Sequence, residues 1–209
     1  MDKKKALYKK AVKAYDAGDC IMSDSEFDIL EAEIRAEDPT WDKLEISSKK
    51  SKHRLPVFLP SLHKVYPKSV MAWRNKRRKL YESDKLDGNS LVITFKGGKP
   101  IGLHTRGNGT KGGKVSHWLP HLRIDNIKEK GVVYMRVEAI FRDEDFKKYA
   151  KEFDNARNAV AGLLNRKLGK PHAALKDIVF VCLGVYGVKP SETEAWCKRN
   201  RYASCNKFR

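Results

Sequence analysis

Apolar residues along this chain change their period partway through. In "KKKALYKKAVKAYDAG" Leu7, Ala11 and Ala14 recur at helical spacing, and Gly18 stands where such a helix would stop. The helical period returns in "SDSEFDILEAEI" with Phe27, Leu30 and Ile34. Ser23 is its N-cap and Glu26, three residues on, completes a capping box; Asp38-Pro39 ends it. The pattern predicts a helical hairpin as a small module over residues 1–52. The basic stretch "SSKKSKHRLP" reads as the linker that leaves it.

From about Pro56 short strands and turns take over. "SLVITFKGGKPIGLHTRGNG" predicts a hairpin: Leu91 to Phe95, a turn at Gly97-Gly98, then a second strand ending in the glycine-rich "RGNGTKGG". "VVYMRVEAIF" alternates, placing Tyr134, Arg136 and Glu138 on one face and Val133, Met135 and Val137 on the other. "DEDFKKYAKEF" and "ARNAVAGLLNRK" read as helices and "DIVFVCLGVYGV" as a buried strand. The fold class is therefore α+β, with antiparallel sheets over residues 53–209. The last apolar strand has no successor, which would leave an open sheet edge.

Charge adds a second division. The net charge is +18. No acidic residue lies between Glu45 and Glu82, a span that holds Lys49, Lys50, Lys52, Arg54, Lys64, Lys68, Arg74, Lys76, Arg77, Arg78 and Lys79. That composition suits a polyanion. Asp16 to Glu45 is mostly acidic instead, so the two stretches face different partners or each other. No apolar run is long enough for a membrane span, and "MDKKKALYKK" lacks the apolar core of a signal peptide. The four cysteines include no C-x-x-C pair and no metal-ligand spacing, which favours reduced thiols in a cytoplasmic protein, the host cytoplasm if the source is viral.

Within "DKLDG", Lys85 stands between Asp84 and Asp87. A free lysine amine has a pKa near ~10.4, so about one in a thousand is uncharged at neutral pH. A nucleophilic lysine needs burial or nearby cations, and its two flanking carboxylates act the other way. Arg106, Arg157 or a bound metal would have to supply the missing positive field. On spacing alone, an ordinary surface lysine in an Asp-Gly turn explains the segment as well.

The company that Lys85 keeps changes this reading. "KLDG", "HTRGNGTKGG", "RVEAIF", "NARNAVAG", "LPSLHKVY" and "VFVCLGV" stand in the order of the motifs of bacterial NAD-dependent DNA ligases, and "YDAGDCIMSDSEFDIL" resembles that family's N-terminal helical domain. The resemblance covers nearly the whole chain. It implies a helical domain (1–52) that binds the nicotinamide mononucleotide (NMN) half of NAD, followed by part of a nucleotidyltransferase, or adenylation, domain of ATP-grasp-like ligase type (53–209). It further implies that Lys85 attacks the α-phosphate of NAD, releases NMN and carries AMP to the 5′-phosphate of nicked double-stranded DNA. Asp87 and Glu138 would hold ribose or magnesium. Arg106 and Arg157 would place phosphate or ribose oxygens, Ser61 and Leu62 would line the AMP pocket, and Gly88 would let the backbone approach it. Tyr15, Asp24, Phe27 and Asp28 would serve NMN. No protein-held metal centre is implied.

Departures from the family pattern are Ser83 in place of a glutamate, His63 in place of an aspartate, Phe27 in place of a tyrosine, Asn165 in place of an arginine, and Leu183 in place of a tyrosine for which Tyr186 could substitute. The family's later motifs, OB-fold, zinc finger and helix-hairpin-helix region are absent. The expectation is a split enzyme resembling those of some bacteriophages, with a second ligase subunit carrying these parts. The alternative is a catalytically inactive, ligase-like protein that binds nucleic acid or regulates.

Overall fold

Helix α1 (Asp2–Ala17) and helix α2 (Asp24–Glu37) form the expected hairpin. The structure is a computed structural model that describes residues 2–17, 21–38, 41, 53–61, 65, 67–76, 82–166 and 169–207. Ser23 caps α2 through its side chain, and Glu26 bonds back to the Ser23 backbone N–H at 2.7 Å, so the capping box forms. Lys4 pairs with Glu33 at 2.8 Å and with Glu37 at 2.6 Å, while Lys5 reaches Asp38 at 2.8 Å. The start of α1 therefore lies beside the end of α2. Leu30 and Ile34 are buried as the spacing predicts, and so is Ala11, but on α1 Tyr8 is buried in place of Leu7. Tyr8 and Ala11 are buried and Leu7 is 43% exposed. The reason is aromatic packing: the Tyr8 ring stacks on Phe27 at 4.7 Å and meets the edge of Trp41 at 4.9 Å. Such rings bury more area than a leucine at the neighbouring position.

The chain divides into two units, Met1–Ser51 and Lys52–Arg209. The second is built on a five-stranded sheet with the order β4-β3-β6-β7-β8. Its strands are β3 (Asn89–Lys96), β4 (Lys99–Thr105), β6 (Val132–Ile140), β7 (Val179–Val185) and β8 (Ala203–Ser204); the short β1 (His53–Arg54), β2 (Glu82–Ser83), β5 (Lys111–Gly112) and β9 (Asn206–Lys207) pair outside it. Strand β3 is antiparallel to β4 and to β6, and β6 to β7. One face carries Leu91, Ile93, Phe95, Met135, Val137 and Ala139, all fully buried. Burial of each large side chain in that set stabilises the fold by about 1.5–3 kcal/mol. Helix α5 (Ala156–Asn165) covers this face with Ala159, Val160, Leu163 and Leu164, and the Trp118 indole N–H donates to the Leu164 carbonyl at 3.2 Å.

The opposite face is covered by the segment expected to be a linker. His53–Arg54 pair with Lys111–Gly112, the Leu55 N–H donates to Thr110 O at 2.8 Å, and the Leu59 N–H donates to Gly109 O at 2.9 Å. Leu55 and Leu59 then bury against Val92, with Val57 and Tyr134 beside them. The basic residues before Leu55 gave this stretch the look of a linker, and Pro56 and Pro60 interrupted the apolar positions Leu55, Val57 and Leu59. Residues 42–52 lie outside the described set.

Two further expectations are corrected. The helix in "DEDFKKYAKEF" is a single turn, α4 (Asp143–Phe146); from Lys148 to Glu152 the chain continues by shorter-range backbone bonds such as Tyr149 N–H to Phe146 O at 2.8 Å. This winding lets Phe146, Tyr149 and Phe153 all pack on the core. The strand "VFVCLGV" also has successors. Helix α6 (Pro190–Asn200) follows it, then β8, parallel to β7 through Val181↔Ala203 and Cys182↔Ser204, and β9, which pairs with β2. Among the described residues no helix is long and apolar enough to cross a membrane.

Candidate active site

Strand alternation and one close backbone contact build the site. Residues 84–88 form the loop between β2 and β3. Gly88 closes it: a Cβ there would lie 2.3 Å from the carbonyl oxygen of Ala139 and 2.6 Å from Ile140 Cγ2. Gly88 is thus demanded by contact with β6, a reason the sequence did not show. Asn89, the next residue, donates its side-chain N–H to the Arg157 carbonyl at 3.0 Å. Asp87 pairs with the Arg157 guanidinium at 3.3 Å. Asn155 caps α5 by accepting from the Asn158 N–H at 2.8 Å. Arg157 is thereby held in the first turn of α5, tied to two positions of the lysine loop. Lys85 is exposed and, among the described residues, has no hydrogen-bond or ion-pair partner.

Arg106 follows β4, and its backbone N–H donates to Ser90 O at 2.8 Å. Its guanidinium donates to Ser61 Oγ at 3.2 Å. The "RGNGTKGG" turn fixes both partners. Asn108 Oδ1 accepts from the Thr110 and Lys111 N–H groups at 3.0 and 2.7 Å. A Cβ on Gly112 would meet Thr105 O at 1.8 Å. These glycines let the turn lie flat against β4 and the 53–61 segment, which carries Ser61 to Arg106.

Glu138 lies on β6 opposite Ser90 of β3 and Val181 of β7, on the face away from the main core. Burial raises its pKa, and Arg106, Arg136, Arg157 and Lys85 act against that rise. Burial lowers the pKa of Arg106, Arg136 and Arg157 lower it further, and Glu138 raises it. These influences place Lys85, Arg106, Arg136 and Arg157 within electrostatic reach of Glu138. The excess of guanidinium over carboxylate suits a pyrophosphate with planar donors.

Two residues that sequence reasoning left out belong to the group. Arg136 Nε and Ser90 Oγ are buried with no hydrogen-bond partner among the described residues. Arg136 also lines a cleft of about 350 Å³ with Phe58, Pro60, Val185 and Tyr186, and the Tyr186 hydroxyl donates to the Phe58 carbonyl. The signal was present, since Arg136 shares the alternation face of Glu138. A larger cleft of about 840 Å³, lined by Arg123, Arg142, Lys148 and Asp177 among others, contains none of the candidate site residues.

The remaining candidates are distributed as follows. Phe27 is half-buried inside the hairpin against Tyr8 and Asp28 is exposed on α2; the side chains of Tyr15 and Asp24 lie outside the described set, as do Leu62 and His63. Ser83 pairs with Asn206 between β2 and β9, Asn165 donates to Ala161 O at 2.9 Å, and Arg166 sits 5.9 Å from the Phe153 ring centre. Among the described residues no group of three or more His, Cys, Asp or Glu could hold a metal. Magnesium fits here only as an ion shared between one or two carboxylates, Glu138 and Asp87, and substrate phosphate.

A sequence model of the NAD-dependent DNA ligase adenylation domain matches residues 46–208. The chain is 34% identical over 178 residues to a DNA ligase of Acanthamoeba polyphaga mimivirus, with 79% of this chain and 28% of the relative covered. It is 32% identical over 170 residues to a putative DNA ligase of Invertebrate iridescent virus 6 (79% and 26% covered). It is 30% identical over 202 residues to a DNA ligase of Helicobacter pylori strain P12 (82% and 30% covered). The chain thus spans under a third of the length of these relatives.

Proposed function

This chain belongs to the NAD-dependent DNA ligase family through its adenylation domain, and from that premise we propose that it carries the first chemical step of ligation, transfer of AMP from NAD to Lys85. The supporting observation is convergence. Residues from the 84–88 loop, the end of β4, the middle of β6 and the first turn of α5 meet in one electrostatic group around Glu138. Nothing in the chain's basic composition alone would gather them.

In this reading the Lys85 amine, having released a proton, forms a P–N bond to the α-phosphorus of NAD. The P–O bond to NMN breaks and NMN leaves with the electron pair. Arg106 and Arg157 orient phosphate oxygens, and Asp87 holds Arg157 in place. Glu138 balances the guanidiniums and, with Asp87, would hold a magnesium ion, which would offset negative charge on the substrate. Ser61 and Leu62 flank the AMP moiety, and the cleft of Phe58, Pro60, Arg136 and Tyr186 is sized for a base. Tyr15, Asp24, Phe27 and Asp28 of the helical unit serve NMN, Phe27 chiefly by shaping the hairpin.

Passage of AMP from Lys85 to the 5′-phosphate of nicked DNA, and sealing, would draw on further ligase regions of the kind that the longer relatives have room for. Our proposal includes a second subunit in the cytoplasm as their source, with exposed cations such as Lys68, Arg74 and Lys76 available to DNA phosphates. The test is transfer of label from adenylate-labelled NAD to the protein, with magnesium, alone and with a polypeptide supplying the remaining ligase regions. Covalent label from NAD and none from ATP supports the reading. Absence of label under both conditions overturns it.

A further inference from the structure

Lys85 follows a strand whose only pairing partner among the described residues comes from the far side of the sequence. Strand β2 pairs antiparallel with β9 through Glu82↔Lys207 and Ser83↔Asn206. The path that brings β9 there is built step by step. Arg201 takes a left-handed conformation (φ 63°) and ends α6, and the Tyr202 N–H donates to Cys197 O at 2.9 Å. The Tyr202 ring packs on Trp196 and Phe95, and its hydroxyl donates to the Asp125 carbonyl. The chain then lies along β7 as β8.

Cysteines far apart in sequence anchor this path. Cys182 on β7, Cys197 on α6 and Cys205 between β8 and β9 are free thiols, each less than a tenth exposed. Each of Cys182 and Cys197 acts on the other's thiol, raising the pKa of Cys182 and lowering that of Cys197. The Cys205 N–H donates to Cys182 O at 3.5 Å, its Sγ lies 3.8 Å from the same oxygen, and the next residue, Asn206, pairs with Ser83. Cys205 therefore anchors to the core the segment that pairs with the residue two before Lys85.

We propose that residues 203–207 are a strap that positions the lysine loop, with Cys205, held on Cys182 of β7 next to the β9–β2 pairing, as its positioning residue. The loop is then fixed at both ends, by the Gly88 contact with β6 after the lysine and by the strap before it. A loop fixed at one end would let the amine wander from the line of attack, and displacement of a reacting group by ~1 Å can cost ~10²-fold in rate. This inference rests on the proposed role of Lys85.

The test uses the full chain carrying Cys205→Ala, Cys205→Ser or Asn206→Pro, under the conditions in which the wild type takes up AMP. Cys205→Ala removes the Sγ contact with Cys182 O, the serine hydroxyl can restore it, and proline at 206 removes a backbone donor from β9. Amide hydrogen exchange over residues 82–88 without NAD, single-turnover adenylation against NAD concentration, and thermal melting are measured together. The expected result for the alanine and proline variants is faster exchange at 82–88 and a maximal rate lowered about ten- to a hundredfold. KM for NAD stays within about twofold, and Cys205→Ser recovers most of the rate. Unchanged exchange at 82–88, faster exchange with an unchanged rate, or an effect confined to KM overturns the strap. A wild-type chain that never takes AMP overturns the proposed function instead, and the exchange data then decide the strap alone.

Discussion

Gly88→Ala isolates the contact that fixes the lysine loop to the sheet. The added Cβ would sit 2.3 Å from Ala139 O and 2.6 Å from Ile140 Cγ2, whereas real Cβ atoms stay beyond 3.0 Å, so loop and strand must separate by at least about 0.7 Å. Ala139 cannot yield easily, because it pairs with Asn89 on one side and Phe180 on the other and is fully buried. Most of the shift therefore falls on the loop. Overpacking of this kind costs about 1–3 kcal/mol of stability, and a ~1 Å shift of the amine costs ~10²-fold in adenylation rate. Gly162→Ala in α5 is the control, since the nearest atom to its added Cβ is Phe153 Cε1 at 3.8 Å. It should gain about 0.5–1 kcal/mol and leave the rate alone. Denaturant melts and single-turnover adenylation measure both quantities. A Gly88→Ala protein with wild-type stability and rate would refute the claim that contact with β6 places the lysine.

Glu138 binds its proton more tightly folded than unfolded, because burial raises its pKa. Its contribution to stability is present in full below the ordinary value of 4.5 and is lost as pH rises through the raised value; Glu138→Gln should flatten that part of the stability profile, and a profile that stays parallel to wild type contradicts it. Arg157→Ala breaks a pair whose side chains are 50% and 73% exposed, so melting should show a loss under about 1 kcal/mol while adenylation slows at least about tenfold. Equal losses in both would make Arg157 a structural residue only. Arg136→Gln should raise KM for NAD about tenfold, the loss of roughly one charge-assisted hydrogen bond; an unchanged KM would remove Arg136 from the site.

The parts of this fold that could be read from sequence are those where one period dominates. The alternation of β6, the hairpin of β3 and β4 and the capping box of α2 each follow from local spacing, and each forms. Segment 53–61 was obscured because it follows a basic run and carries Pro56 and Pro60, so its composition suggested a linker while Leu55 and Leu59 were core residues. The strap was not legible either. Strands of two residues carry no periodic signal, and the closeness of Cys182, Cys197 and Cys205 depends on a turn at Arg201 in a conformation that sequence gives little reason to expect. At the site, order along the chain pointed to Lys85, Arg106, Glu138 and Arg157. Arg136 was passed over although it stands two residues from Glu138 on the same face, because a strand arginine has an ordinary solvated reading until its burial is known.

The most direct test of the central claim is peptide-level mass spectrometry of the chain after incubation with NAD and magnesium, with the remaining ligase regions supplied. The account predicts an AMP adduct on the peptide containing Lys85, joined through its amine and absent in Lys85→Ala. An adduct confined to other lysines, or no adduct while the supplied regions are demonstrably folded, would contradict it.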